Sequence, residues 1–322
     1  MPVVTVIIPC YNAETHISRC FEALKEQTYT DFDVVFIDDC SSDNTLKVLE
    51  KFSKDSTLNI KILRNEKNSG PAFSRNRGIA AADGKYIAFC DSDDWYDKEY
   101  LACMVNAANE NESDMVLCNS NKVLPNGKII RTETFCGQGK KLNTKSALLL
   151  GIDSLCAIMV KREIILHIPQ PDLRNGEDMA IIPLLILASR KFNVVEKTIY
   201  NYFCRPGSLS LSANEKVTES LIQSFSFIYK NRDPEFEKEI EFIGIKNVIY
   251  GVILNHYKCS KDNRKANEIL KNFESVYPNC YSNKYIHTLP IYKRAFVFCA
   301  KKRMYFVLRL LSLIHKRIFN VG

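Results

Sequence analysis

Two short motifs that mark common nucleotide-binding folds are absent from this sequence of 322 residues. The glycine-rich pattern GxGxxG does not follow the first predicted strand, and GxxxxGK[ST] occurs nowhere. Both motifs let backbone N–H groups approach phosphates closely. Their absence argues against a nicotinamide-dependent dehydrogenase and against a P-loop enzyme.

Cysteine pairs, a leader segment and long apolar runs are missing as well. The chain has 12 cysteines but no CxxC pair, and most of them lie inside apolar runs, where a thiol behaves as a small hydrophobic group. We therefore expect reduced core cysteines in a reducing cytoplasm. No basic region precedes the first apolar run, and no uncharged span of about 20 residues occurs. We expect neither a secreted protein nor one that spans a bilayer.

Acidic residues are absent from residues 285–322, whereas basic ones are frequent there. This basic tail mixes aromatic and aliphatic side chains with Lys293, Arg294, Lys301, Lys302, Arg303, Arg309, Lys316 and Arg317. Such a composition suits helices that lie in an anionic membrane interface. The alternative is a basic helical pair that packs on the rest of the protein.

Apolar runs and helical patterns alternate through the first third of the chain. Strands are predicted over residues 3–8, 32–37, 60–63 and 86–89, with helices over 14–27, 43–52 and 71–82. This alternation predicts right-handed βαβ units and an α/β fold, a mainly parallel sheet flanked by helices. Further predicted elements are a hairpin turning at Pro125–Gly127, a helix over 144–150, a helix over 179–188 and a strand over 194–202. From residue 214 onward the pattern is helical, which indicates a C-terminal helical appendage.

Polar residues follow each of the first four predicted strands. Because ligands of parallel sheets bind at the carboxyl ends of the strands, these residues should share one edge. They are Pro9, Tyr11 and Asn12 after the first strand, Asp38 and Asp39 after the second, Asn65, Asn68 and Gly70 after the third, and an acidic cluster after the fourth.

The acidic cluster lies in KYIAFCDSDDW, residues 85–95, where Asp91, Asp93 and Asp94 follow a buried strand. Three carboxylates there repel one another and lose solvation, so a cation is needed to compensate them. A divalent metal shared with substrate phosphates would serve. Alternatively, the segment is a turn in which Asp94 caps a helix starting near Asp97.

Four motifs in order make residues 3–210 resemble the inverting glycosyltransferases of family 2, which have the A-type glycosyltransferase fold. The motifs are TVIIPCYNAE, FIDDCSSDNT, NSGPAFSRNRGIAAADGKYIAFCDSDDW and GEDMAI. The resemblance implies a catalytic domain over residues 1–213, with a nucleotide-binding half to about residue 110 and an acceptor half after it. Residues 214–322 would form the helical, basic C-terminal region.

The resemblance also implies roles for individual residues. Asp39 would contact the nucleotide base, Arg75 would lie near the base or the diphosphate, and Asp91 and Asp93 would form the DxD pair, with Asp93 carrying Mn²⁺ or Mg²⁺. Asp178 would be the catalytic base and Glu177 would support it. The donor would bind along Pro9, Tyr11, Asn12, Glu14, Asp39, Gly70, Arg75, Asp91 and Ser92.

The implied reaction is the transfer of one sugar from a nucleotide-diphosphate sugar, with uridine the commonest base, to a glycan or a lipid-linked acceptor. The QxxRW signature of processive synthases is absent, and Cys40 and Ser74 replace the usual glycine and alanine of two motifs. The expected setting is bacterial surface-polysaccharide assembly at the inner face of the cell membrane. Alternatives are a sugar-1-phosphate nucleotidyltransferase, which would need a basic glycine-rich loop after Pro9, and a non-catalytic protein that binds sugar nucleotides. For helix 179–188, Glu177 and Asp178 could instead only complement the helix dipole.

Overall fold

The computed structural model describes residues 2–133, 141–171, 173, 176–205 and 214–319. The chain forms two compact units. The first comprises residues 1–174 and 181–205, and the second comprises residues 175–180 and 206–322. The domain boundary expected near residue 213 stays a prediction.

The first unit contains a mixed β-sheet. Its strands in the described ranges are β1 (Val4–Cys10), β2 (Phe32–Asp38), β3 (Asn59–Arg64), β4 (Tyr86–Phe89), β5 (Trp95–Tyr96), β6 (Met115–Val123), β7 (Ile129–Glu133), β8 (Ile158–Lys161) and β9 (Phe192–Phe203). Their order in the sheet is β3-β2-β1-β4-β8-β6-β9-β5, and β7 pairs with β6.

The four N-terminal strands run parallel, as the sequence predicts. In the centre, Val4 of β1 pairs with Phe32 of β2 on one side and with Tyr86 of β4 on the other. The connecting helices are α1 (Ile17–Lys25), α2 (Thr45–Asp55) and α3 (Pro71–Ala81). β1, β2 and β4 are almost wholly buried, which fits their continuous apolar sequences. The carboxyl ends of these strands therefore lie along one edge.

Beyond β4 the sheet changes direction. β8 lies antiparallel between β4 and β6, β6 runs parallel to β9, and the short β5 is antiparallel to β9. The predicted hairpin is present, because β6 and β7 pair antiparallel around a turn in which Leu124 N donates to Lys128 O at 2.9 Å. The α/β fold class is thus confirmed, with the parallel part confined to the N-terminal strands. The flanking helices are α4 (Tyr100–Asn111), α5 (Thr144–Leu150), α6 (Arg162–His167) and α7 (Glu177–Ala188), of which α7 begins in the second unit.

Two helices begin later than the sequence predicts. α1 begins at Ile17 instead of residue 14, and α2 begins at Thr45 instead of residue 43. The carboxylate of Asp43 accepts hydrogen bonds from the backbone N–H of Thr45 at 3.0 Å and from that of Glu14 at 3.1 Å. The Asp43 side chain thus holds the loops that precede both helices in non-helical conformations, and each helix begins after its loop.

The second unit is helical in its described part. Its elements are α8 (Glu215–Lys230), α9 (Glu237–Gly244), a π-helical segment (Ile245–Val252), α10 (Ile253–Cys259), α11 (Asn263–Val276), α12 (Ile291–Lys301) and α13 (Tyr305–Phe319). Within this segment, Ile245, Val248, Ile249 and Val252 are buried. Gly244 permits close packing, because a Cβ there would lie 2.5 Å from Phe225 and 2.4 Å from Phe273.

Two expectations about compartment meet the structure here. The cysteines of the described residues are free thiols, and most of them are buried, as expected; Cys136 lies outside the described residues. None of the described helices has both the length and the apolar character needed to cross a bilayer.

Candidate active site

The loop after β1 is joined to the loop after β2 by polar side chains. Asn12 Oδ1 accepts a hydrogen bond from Ser42 N at 2.9 Å, and Asn12 N donates to Ser41 Oγ at 3.0 Å. The carboxylate of Glu14 accepts from Asn44 N at 3.1 Å and from Asn44 Nδ2 at 3.0 Å. Asn12 has a φ of 49°, a left-handed conformation that asparagine adopts more readily than most residues. Asn12 and Glu14, both predicted to bind the donor, therefore also shape this edge.

Pro9 and Tyr11 occupy different environments on the same edge. Pro9 remains within β1, opposite Ile37 of β2, although the strand was predicted to end before it. Tyr11 follows the strand, and its side chain is exposed. Of these two predicted donor-binding residues, Tyr11 is the more accessible, because its side chain is exposed whereas Pro9 is half-buried.

Asp39 organises the turn between β3 and α3. Its buried carboxylate accepts hydrogen bonds from Asn65 Nδ2 at 2.6 Å, from Ser69 N at 2.9 Å and from Gly70 N at 2.7 Å. Gly70 immediately precedes α3. Its φ of 88° is a backbone conformation that favours glycine. The carboxylate of Asp39 therefore fixes the backbone that leads into α3.

Asp91 is paired with an arginine from α3. Arg75 Nη2 donates to Asp91 Oδ1 at 2.7 Å. The Arg75 side chain is only 6% exposed, whereas that of Asp91 is 36% exposed. Ser92, the next residue, is half-buried. The structure thus brings the predicted residues Arg75 and Asp91 into direct contact and leaves part of the carboxylate open.

Asp93 is contacted by two arginines that the sequence did not single out. Arg205 Nε lies 2.6 Å from Asp93 Oδ2, and Arg19 Nη2 donates to the Asp93 carbonyl oxygen at 2.6 Å. The Arg19 guanidinium lies 4.0 Å from the ring centroid of Trp95 and 4.1 Å from that of Phe203. Burial and the neighbouring charge of Asp91 raise the pKa of Asp93, and Arg205 opposes that rise.

Asp94 does not cap a helix, so the helix-cap part of the alternative interpretation is wrong, whereas its turn is present, because Asp94 N donates to the Asp91 carbonyl oxygen at 3.0 Å. The next helix, α4, begins at Tyr100 and is preceded by Glu99. Asp94 is buried, and its carboxylate accepts hydrogen bonds from the Tyr200 hydroxyl and, at 2.7 Å, from Phe203 N. Burial, followed by the charges of Asp91 and Asp93, raises the pKa of Asp94. Asp94 therefore anchors β9 to the acidic loop.

The remaining pair, Asp91 and Asp93, has the chemistry of a divalent metal site. Mg²⁺ and Mn²⁺ prefer oxygen ligands, and Mg²⁺ sites often use one or two carboxylates together with water and substrate phosphates. Two partly buried carboxylates, of which one raises the pKa of the other, are stabilised by added positive charge. The donor set therefore fits such a cation. Within the described residues, no group of three or more His, Cys, Asp or Glu side chains is arranged to hold a metal.

Glu177 and Asp178 are the first two residues of α7 and belong to the second unit. Gly176 precedes them with a φ of 75°, and its carbonyl oxygen accepts a hydrogen bond from Ser224 Oγ at 2.8 Å. Glu177 is buried and Asp178 is half-buried. A helix N-terminus favours carboxylates whether or not they are catalytic, so both interpretations of this pair stay open.

The family model described as Glycosyl transferase family 2 matches residues 5–168. The chain belongs to this family. It is accordingly a glycosyltransferase, and the predicted A-type fold agrees with the solved structures it resembles.

Individual relatives differ in how much of their length the chain covers. EpsH of Bacillus subtilis (strain 168) is 26% identical over 340 residues, which span 99% of this chain and 97% of EpsH. The poly(ribitol-phosphate) beta-N-acetylglucosaminyltransferase TarS of Staphylococcus aureus (strain Mu50 / ATCC 700699) is 30% identical over 204 residues, or 62% of this chain. The chain spans only 35% of the length of TarS.

Solved structures show the same fold. The crystal structure of S. aureus TarS 1–349 in complex with UDP superimposes with a TM-score of 0.73 at 21% identity, covering 100% of this chain and 93% of that one. The mannosyltransferase PcManGT from Pyrobaculum calidifontis, in complex with GDP-Man and Mn²⁺, gives a TM-score of 0.56 at 12% identity, covering 100% of this chain and 88% of that one.

The sequence did not predict the residues that contact this glycosyltransferase's acidic loop from distant parts of the chain. Arg19 lies inside α1, Tyr200 and Phe203 lie in β9, and Arg205 follows β9. The one sequence signal for Arg205 is its position as a basic residue shortly after the end of a predicted strand. Arg19 has no comparable signal, since a polar residue within an amphipathic helix is usually solvated.

Asp39→Asn tests whether Asp39 holds the β3–α3 turn. Asparagine has one acceptor oxygen and presents an amide group to donors, so at least one backbone N–H of the turn loses its partner. We expect the free energy of unfolding to fall by about 1–3 kcal/mol, measured by chemical denaturation. Asn68→Ala, on the exposed part of the same turn, is the control and should change stability by less than about 0.5 kcal/mol. Equal stability of the Asp39 variant and the native protein would contradict the assignment.

Proposed function

We propose that this glycosyltransferase moves one sugar from a nucleotide-diphosphate sugar, UDP-linked, to a glycan or lipid-linked acceptor, inverting the anomeric carbon. The observation that carries the proposal is the edge formed after β2, β3 and β4. There Asp39 holds the turn that starts α3, and Arg75 of that helix pairs with Asp91. The TarS structures with UDP and with UDP-GlcNAc support a uridine donor.

A divalent metal, Mn²⁺ or Mg²⁺, would be held by Asp93 and Asp91 together with the donor diphosphate. When bound, it would neutralise charge that develops on the leaving diphosphate. Arg75 supplies a fixed positive charge next to Asp91 and directs that carboxylate. Arg19 donates a hydrogen bond to the Asp93 carbonyl oxygen and so fixes the backbone of the residue that carries the second carboxylate, Asp93.

The catalytic base in this proposal is Asp178, with Glu177 in a supporting or acceptor-orienting role. An inverting displacement needs one carboxylate that takes the proton of the acceptor hydroxyl as its oxygen attacks. The first turn of a helix is a favourable place for carboxylates, and it gives these side chains defined directions. Gly176, whose carbonyl is fixed by Ser224, sets the start of that helix.

Two other functions fit the sequence less well. A sugar-1-phosphate nucleotidyltransferase would need a basic glycine-rich loop after Pro9, and the observed loop carries Asn12 and Glu14 instead. A non-catalytic protein that only binds sugar nucleotides would bind labelled donors without transfer or hydrolysis. Family membership supports the transferase over both.

We also propose that the enzyme acts in surface-polysaccharide assembly, at the inner face of the cell membrane, and that α12 and α13 bind the anionic bilayer. Each helix has an apolar face turned inward, including Phe296 and Leu308, and further apolar side chains turned outward. Phe306 is 80% exposed and Ile291 is 77% exposed. The other outward apolar residues are Tyr292, Phe298, Leu310, Leu313 and Ile314.

The spacing of these outward apolar residues and the positive charge of their neighbours favour contact with a membrane surface. On α13, Phe306, Leu310 and Leu313 recur at intervals of four and three residues, which places them on one face. Exposed Lys301, Lys302, Lys316 and Arg317 accompany the apolar residues. In the turn between the helices, Arg303 has a φ of 54° and pairs with Glu274 at 2.6 Å. An apolar face with basic neighbours fits anionic lipid headgroups.

Asp93→Asn tests the metal site. We expect the variant to fold and to lose metal-dependent donor affinity by at least about tenfold, because one metal ligand is removed. The measurement is calorimetry with UDP in the presence and absence of Mn²⁺. Asp83→Asn makes the same charge change at an exposed position just before β4 and should bind normally. Unchanged affinity in the Asp93 variant would refute its role as a ligand.

Asp178→Asn tests the base. Binding of donor and metal should stay near the native level, while sugar transfer falls by at least about a hundredfold, since the group that accepts the proton is gone. Glu177→Gln is the matched variant and should be milder. The opposite ranking would make Glu177 the base. Near-normal transfer by both variants would mean that the pair only complements the helix dipole.

Phe306→Ser and the double variant Lys301→Gln/Lys302→Gln test the membrane surface. Removing two basic residues should weaken binding to anionic vesicles by about 2 kcal/mol, or roughly thirtyfold, and added salt should weaken native binding. Phe306→Ser should also weaken it, because the most exposed apolar side chain is lost. Co-sedimentation gives the affinities, and Ile130→Ser, which alters a side chain 50% exposed on β7, should bind normally. Equal sedimentation of all these proteins would rule out the assigned surface.

A further inference from the structure

The carboxylate of Asp93 already has a positively charged partner. Arg205 Nε lies 2.6 Å from Asp93 Oδ2, and the Arg205 side chain is 41% exposed while that of Asp93 is 19% exposed. Arg205 is the second residue after the end of β9 and is distant from Asp93 in the chain. The guanidinium thus occupies an oxygen that the proposed metal would use.

Arg75, the partner of Asp91, and Arg205, the partner of Asp93, differ in burial and in hydrogen bonding. Arg75 is almost wholly buried, lies within α3 and makes an aligned hydrogen bond to Asp91. Arg205 is partly exposed, and among the described residues no acceptor lies in line with its Nε–H, so its contact with Asp93 is an ion pair without an aligned hydrogen bond at that nitrogen. Although Arg205 Nε is itself buried, an ion pair that lacks an aligned hydrogen bond at that nitrogen and involves a partly exposed arginine contributes less net stability than the buried, hydrogen-bonded pair of Arg75 and Asp91. Arg205 is therefore the replaceable partner of the two.

The backbone that presents Arg205 is anchored just before it. Asp94 accepts hydrogen bonds from Phe203 N and from the Tyr200 hydroxyl, which fixes the end of β9 against the acidic loop. Arg19 packs against the Phe203 ring and donates to the Asp93 carbonyl oxygen. The strand end is thus held in place independently of the Arg205 side chain, which can leave Asp93 without loss of these contacts.

We infer that Arg205 is an internal counter-ion of Asp93 that competes with the divalent metal, so that a metal arriving without the donor diphosphate binds weakly. The inference rests on the proposed role of Asp93 as a metal ligand. A guanidinium cannot release its proton at accessible pH, so it must move aside before a cation can take the same oxygen. A metal that arrives with a diphosphate adds phosphate ligands and negative charge, which offsets the loss of the ion pair. Binding of metal and of nucleotide would therefore be coupled through Arg205.

The coupling predicts that removing Arg205 increases the affinity for Mn²⁺ alone, whereas removing a residue that supports the metal site would decrease it. In Arg205→Gln the competitor is gone, and Asp93 is left beside Asp91 without its counter-ion. Mn²⁺ alone should then bind more tightly than to the native protein, by about tenfold if the lost competition is of the order of 1.4 kcal/mol. If Arg205 instead helped to build the metal site, its removal would weaken Mn²⁺ binding.

Electron paramagnetic resonance titration of free Mn²⁺ measures this affinity without any turnover. Arg205→Lys retains the positive charge and should bind Mn²⁺ alone about as weakly as the native protein. Arg64→Gln is the matched control, because Arg64 lies 3.5 Å from Asp38 at the end of β2 and its loss changes the net charge equally. An equal gain in Arg64→Gln would attribute the effect to overall charge and overturn the inference, as would unchanged or weaker Mn²⁺ binding in Arg205→Gln.

A second titration, with Mn²⁺ in the presence of UDP, separates this inference from the proposed function. Native protein that binds Mn²⁺ with UDP, and an Asp93→Asn variant that does not, would uphold the metal site whatever Arg205 does. Under that condition the ratio of Mn²⁺ affinities with and without UDP should be smaller in Arg205→Gln than in the native protein. An equal ratio in both would overturn the coupling while leaving the metal site intact. Absence of Mn²⁺ binding to the native protein with UDP would overturn both.

Discussion

Concentrated negative charge at the carboxyl end of β4 is the constraint on which this site depends. Asp91, Asp93 and Asp94 lie within four residues at the end of a buried strand. Charges in such a place lose hydration and repel one another, so each needs its own compensation. Asp91 has Arg75, Asp93 has Arg205, and Asp94 is stabilised by a hydroxyl and a backbone N–H.

That compensation links elements that are far apart in the chain. α3 provides Arg75, α1 provides Arg19, and β9 with the residues that follow it provides the groups that bind Asp93 and Asp94. The contacts that stabilise the folded first unit are therefore the same contacts that set the geometry of the acidic loop. A fold that only had to be stable would place fewer carboxylates here, so the raised pKa values of Asp93 and Asp94 indicate a functional site.

The parallel strands supply the other half of the arrangement. Because β1, β2, β3 and β4 point the same way, the loops that leave them meet at one edge and exchange hydrogen bonds, as Asn12 does with Ser42 and Asp39 does with Gly70. In the second unit a different principle applies. Its last two helices carry buried apolar residues such as Phe296 and Leu308 and also exposed ones such as Phe298 and Phe306, so part of their apolar surface is not covered by the described residues.

Local patterns in the sequence determined the parallel half of the sheet, its connecting helices, the helical second unit and the edge that bears Asp39, Gly70, Asp91 and Asp93. These features follow from the periodicity of apolar residues and from the direction of parallel strands, both of which are written in neighbouring residues. The starts of α1 and α2 lie two or three residues later than the sequence indicates, because the carboxylate of Asp43 binds backbone N–H groups in the loops before both helices.

Only the tertiary structure decided which partners the carboxylates have. Asp94 was open to interpretation as a helix cap, yet it binds Tyr200, 106 residues later, and the antiparallel pairing of β5 with β9 is what brings them together. Arg19 and Arg205 reach Asp93 by the same long-range packing. Sequence periodicity describes how an element faces the core but carries no information about which distant charge it will meet, because that depends on strand order and register.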